Sequence, residues 1–171
     1  MSDDSRYCWF EAEIEAVKTR KFFLIPRDGI EEELIVFEKQ YGELPFDYRT
    51  FLRVYGGASL FRDPEWGFFP IRLFRVPKIA YAGRKGEGTF ADIGYWNDRL
   101  VYIHINDACR TFSPEILEHL PSGGIRTVAP NFVKWLRTRY EKERKRFKKK
   151  GWLEILSGPP ALTDQEREAL E

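Results

Sequence analysis

Apolar positions recur at helical spacing early in the chain and lose that spacing abruptly after Trp66. Between Asp28 and Gly42, residues Ile30, Leu34, Phe37 and Tyr41 fall on one stripe, the pattern of a helix with one face against a core. Asp28 is placed to cap this helix, Glu31 completes a capping-box pattern three residues on, and Gly42 supplies a left-handed stop. Past Leu44-Pro45 a second helix is predicted to run to Tyr55, with Tyr48, Phe51, Leu52 and Tyr55 on one face and Gly56-Gly57 ending it. The two should pack as a pair. The first 25 residues carry a weaker helical spacing in Phe10, Ile14 and Val17.

From Trp66 to Phe74 the chain turns aromatic and β-branched, broken by Gly67 and Pro70, and strands are expected. Asn97-Asp98 is a turn dipeptide between Ile93-Gly94-Tyr95-Trp96 and the alternating run Val101, Ile103, Ile105, which puts Tyr102 and His104 on the opposite face. That pattern is a β-hairpin. Ser113-Pro114-Glu115 reads as cap, first-turn proline and favourable acid, opening a short helix that Pro121-Ser122-Gly123-Gly124 ends. Asn131 then caps a long helix to about Lys150, with Val133, Leu136, Tyr140 and Phe147 inward. After Gly151 a capping-box pattern at Thr163-Asp164-Gln165-Glu166 predicts one more short helix. The organisation is one mixed α and β domain over residues 1–150 and a C-terminal extension over 151–171.

The length of 171 residues favours one core, and 43% apolar with 16% aromatic residues supplies the surface to build it. The net charge of +1 conceals a basic arm: residues 132–150 hold ten Lys or Arg against Glu141 and Glu143, while 151–171 hold Arg167 against five acids. Met1-Ser2-Asp3-Asp4 is acidic and unlike a signal peptide, and no apolar run nears the roughly 20 residues of a membrane span, so a cytoplasmic protein is expected. Cys8 and Cys109 form no CxxC motif and read as ordinary reduced thiols, small hydrophobes of the core.

Candidate chemistry is thin. His104 and His119, the latter near a predicted helix end, lie in no HExxH motif, and no metal site is expected. Gly83, Gly86 and Gly88 stand in the order G-x-x-G-x-G, unlike a phosphate cradle, and read as a hairpin loop with no cofactor. Ser59, Ser113 and Ser122 lack a G-x-S-x-G context, so no catalytic residue is assigned and the chain is expected not to be an enzyme. The basic helix over 132–150 is a candidate for non-specific nucleic-acid contact, and the favoured alternative is a solvated outer face whose charges suit a helix C-terminus.

The run Gly42-Glu43-Leu44-Pro45-Phe46-Asp47-Tyr48-Arg49-Thr50-Phe51-Leu52-Arg53-Val54-Tyr55-Gly56-Gly57, following the amphipathic helix from Ile30, resembles the signature of the SUKH superfamily, named for relatives of the yeast cell-wall assembly regulator. LP, then D-Y-x-x-F-L, then a tyrosine and two glycines carry the resemblance. It continues more loosely to Phe132 and Trp135-Leu136 and covers roughly residues 26–140. It implies an α+β fold with helices packed around a largely antiparallel, curved β-sheet. It also implies a protein-binding role: bacterial members are immunity proteins that neutralise polymorphic toxins, often nucleases, and fungal members scaffold signalling proteins. The long basic helix and the tail from Gly151 depart from that pattern.

An inhibitor of a basic nuclease site is expected to present acids around aromatic anchors. Acids alternate with large aromatics in two places, Asp63, Glu65 and Trp66 after the glycine pair and Asp92, Tyr95, Trp96 and Asp98 at the hairpin, which makes these the candidate partner-binding residues. They are expected to form one exposed acidic patch. The competing reading keeps the tryptophans in the core and the acids in turns.

Overall fold

The computed structural model describes residues 5–10, 23–25, 29–62, 65–68, 74–80, 87–96, 99–105 and 114–149. Helix α1 (Ile30–Tyr41) and helix α2 (Phe46–Tyr55) stand where the apolar spacing places them. The expected capping box at α1 does not form. Gly29, left-handed at φ 79°, occupies the N-cap with no side-chain cap, and the Glu31 carboxylate accepts instead from the Arg49 guanidinium of α2. A charged donor on a neighbouring helix outcompetes a single backbone amide for a carboxylate; Asp28 lies outside the described residues. At the end of α2, Gly56 takes φ 63° and its N–H donates to the Leu52 carbonyl at 2.8 Å, a stop that favours glycine.

Eight strands follow or flank these helices: β1 (Phe23–Ile25), β2 (Gly57–Arg62), β3 (Glu65–Phe68), β4 (Lys78–Ala80), β5 (Glu87–Trp96), β6 (Arg99–His104), β7 (Ile116–His119) and β8 (Ile125–Ala129). They pair antiparallel in the order β1-β2-β3-β5-β6-β7-β8, with β4 on the first residues of β5. Irregular register at Ser59/Phe61, Asp92/Gly94 and Ile116/Leu117 puts bulges in three ladders, the device that bends a sheet. Strands β5 and β6 pair antiparallel as the predicted hairpin, with Trp96 opposite Arg99, and Asn97-Asp98 between them lies outside the described residues. Gly83 and Gly86 lie between β4 and β5 outside the described residues, while Gly88 belongs to β5.

The helix predicted over 113–124 is absent. Ile116–His119 is a strand paired on both sides, and Leu120 to Gly124 close a turn onto β8, with Gly123 and Gly124 at φ 82° and 86°. Ser113-Pro114-Glu115 is a local helix signal, and two flanking strand ladders override it by burying Ile116, Leu117 and Glu118. His119 therefore ends a strand, not a helix.

Helix α3 (Phe132–Lys149) closes the fold, and Asn131 Oδ1 accepts from the Lys134 N–H at 2.9 Å as its N-cap. Its inward residues are Phe132, Trp135, Leu136 and Tyr140; Val133, expected inward, is half-buried, and Phe147 lies outside the described side chains. One face of the sheet, with Ala91, Ile93, Val101, Ile103, Ile105 and Ile116, packs with α1, α2 and α3 and with Tyr7 and Phe10 of the helical N-terminal segment into the main core. On the other face Phe90, Tyr102 and Leu117 form a smaller cluster, as the strand alternation requires. Cys8 is exposed and in no disulfide, not the core residue expected, and Cys109 lies outside the described residues.

Candidate functional site

Backbone register brings four of the predicted partner-binding residues to one end of the sheet. Trp66 pairs with Trp96 across β3 and β5, Gly67 with Tyr95, and Glu65 with Arg62 across the neighbouring hairpin. Asp63 and Asp98 lie outside the described residues, as do the side chains of Glu65 and Trp66. Tyr95 is half-buried above Gly67, where a Cβ would come within 2.8 Å of the tyrosine ring.

Two of the seven are corrected by burial. Trp96 is only 5% exposed, and its ring is faced by the Arg139 guanidinium at 4.0 Å, the Lys142 ammonium at 5.1 Å and the Arg99 guanidinium at 5.8 Å. It packs α3 onto the sheet, and the charges around it are basic. Asp92 is 3% exposed beside the β5 bulge. Burial pushes its carboxyl above the usual range against the opposing pull of a Gly94 hydrogen bond and of Arg75 and His119. An acid withdrawn from water in this way cannot belong to an exposed patch.

The seam between α3 and β7 is built on Glu118. Fully buried, it accepts from Arg139 Nη2 at 2.8 Å and from Trp135 Nε1 at 2.8 Å, so a carboxylate inside the fold is matched by a guanidinium and an indole. Arg137 pairs with Glu141 one turn along. Lys134, Lys142 and Lys145 point outward as an exposed basic row.

Helix α1 carries most of the large apolar surface left open among the described residues, including Tyr41, which was expected on the inward stripe but stands at the exposed end of the helix. Val36 is 65% exposed, Ile35 54% and Tyr41 42%, three of the four large apolar side chains left open among the described residues. Val36, Phe37 and Tyr41 wall a groove of about 430 Å³ with Phe74, and Glu32, Glu33 and Gln40 complete it. Its floor is firm: Phe37 meets Phe74 edge-on at 5.6 Å, and Phe74 stacks on buried Tyr48 at 6.1 Å. Arg49, bonded to both Glu31 and Glu38, ties α1 to α2 behind it. The sequence reading missed this groove. Its signal was present as Val36, an apolar residue off the inward stripe of an otherwise amphipathic helix; Ile35, also off the stripe, does not line it.

Among the described residues no cluster of three or more His, Cys, Asp or Glu could hold a metal, and no helix is long and apolar enough to cross a membrane. Residues 30–138, well over half of the chain, match the SMI1 / KNR4 family (SUKH-1). No curated protein and no solved structure matches significantly.

Proposed function

Since the chain belongs to the SMI1 / KNR4 family (SUKH-1), we propose that it is a non-catalytic protein-binding module acting in the cytoplasm as an immunity protein, its partner a toxin domain that it neutralises. The reading is carried by one observation, the apolar surface left open on α1, where Ile35, Val36 and Tyr41 are three of the four exposed large hydrophobes among the described residues. An exposed apolar surface rimmed by polar groups marks an interaction site. Residues 1–150 form the binding domain and 151–171 an extension to it. A nuclease toxin suits the acids on α1, because a phosphate-holding site is basic and an acidic cover gains both on-rate and selectivity. A scaffold of the cell-wall regulator type would use the same kind of surface without silencing an activity.

The test is co-expression of this protein with the toxin encoded beside its gene, scored by cell survival and by formation of a one-to-one complex. Survival restored together with a stable complex is expected. Cell death at the unprotected rate, or no toxin gene beside it, would remove the immunity reading, and a complex without protection would favour the scaffold.

A further inference from the structure

We propose that the groove on α1 receives a basic amphipathic segment of the protein partner, with an apolar side chain seated on Val36, Phe37 and Phe74 and a Lys or Arg reaching Glu32. The proposal rests on the protein-binding reading above and names the chemistry that this surface selects. The groove's volume of about 430 Å³ accommodates one or two bulky side chains, and its firm aromatic floor needs little rearrangement to receive them.

Charge complementarity decides the occupant. Helix α1 carries Glu31, Glu32, Glu33 and Glu38 against a single base, Lys39. Glu31 and Glu38 are already taken by Arg49, and Glu31 also meets Arg53 at 3.5 Å. Glu32 has no ion pair among the described residues, and no Lys or Arg lines the groove. An apolar strip ending at Glu32, which pairs with no base among the described residues, selects a segment with the reverse polarity: an apolar anchor with a base about one helical turn away. Among possible ligands, an acidic or purely apolar segment would leave Glu32 facing like charge or no partner.

The probe is a synthetic amphipathic peptide of about 15 residues, near the length at which isolated helices become viable in water. It carries Leu and Trp on one face and Arg on the flank, and a control peptide replaces each Arg with Glu. Amide chemical shifts of the full chain are followed during titration. The Arg peptide is expected to shift Val36, Gln40 and Tyr41; Glu32→Lys/Glu33→Lys should weaken it about tenfold and Val36→Asp should abolish it, while the Glu peptide leaves these amides unmoved. Equal binding of both peptides, shifts centred away from α1, or concentration-dependent self-association that blocks the groove would each overturn the proposal. The variants are also tried against the toxin. Neutralisation that survives Val36→Asp and Glu32→Lys/Glu33→Lys sinks the groove and leaves the immunity reading standing. Peptide binding at α1 with no toxin neutralised does the opposite.

Discussion

Asp92 and Glu118 are carboxylates hidden in the same sheet, and their different company predicts opposite responses to mutation. Glu118 holds Arg139 and Trp135, so Glu118→Ala leaves a mostly buried guanidinium unmatched and should cost about 3 to 5 kcal/mol in chemical denaturation. Pairing it with Arg139→Met should return part of that loss. Asp92 Oδ1 has no hydrogen-bond partner, and burial raises its pKa above the unfolded value. Between the unfolded and folded pKa values the native state binds the extra proton, so this residue's contribution is fully present below the unfolded value and is lost as pH rises through the folded one. Asp92→Asn should therefore raise the thermal midpoint at neutral pH, with the gain shrinking as pH falls through the raised folded value and gone once pH is below the ordinary carboxylate value. A gain equally large at low pH would show that desolvation of the charge is not its source.

Helix α2 was the most legible element because its signals agree: a proline before the first turn, one apolar face and a glycine stop. Phe51 is fully buried among Tyr7, Phe10, Tyr55 and Phe132, so Phe51→Ala should cost about 3 to 5 kcal/mol and lower the thermal midpoint by roughly 10 °C. An unchanged midpoint would refute this packing. The β5–β6 hairpin was legible for the same reason, a turn dipeptide between strands with period-two alternation. Strand β7 was not, since its three-residue helix signal is local while the β6 and β8 ladders that overrule it are set by residues elsewhere in the chain. Burial of Trp96 had the same cause: the bases that cover it arrive on α3, more than 40 residues later. Likewise the inward stripe of α1 could be read from spacing, but the groove along its flank needed Phe74, which no periodicity links to that helix.

At the scale of the whole fold, the described helices differ in charge: Glu32 and Glu33 lie on α1 and Lys134, Lys142 and Lys145 on α3. The basic row is diluted by internal commitments, Arg139 to Glu118 and Arg137 to Glu141. Accordingly, duplex DNA should not be retained below micromolar concentration at about 150 mM salt, where exposed charges are screened beyond roughly 8 Å. Submicromolar retention that disappears on reversing Lys134, Lys142 and Lys145 would reinstate nucleic acid as a ligand. The aromatic core has a further consequence, for synthesis. Phe10 meets both Phe51 and Tyr140, at 6.0 and 6.1 Å, and Trp9 meets Tyr140 at 5.6 Å, so residues from the first and last parts of the domain share one packing unit. Contacts this distant in sequence close late and slowly. A nascent chain halted on the ribosome before Tyr140 emerges would hold its first aromatic residues without the helix that covers them, open to chaperones and proteases until α3 is delivered.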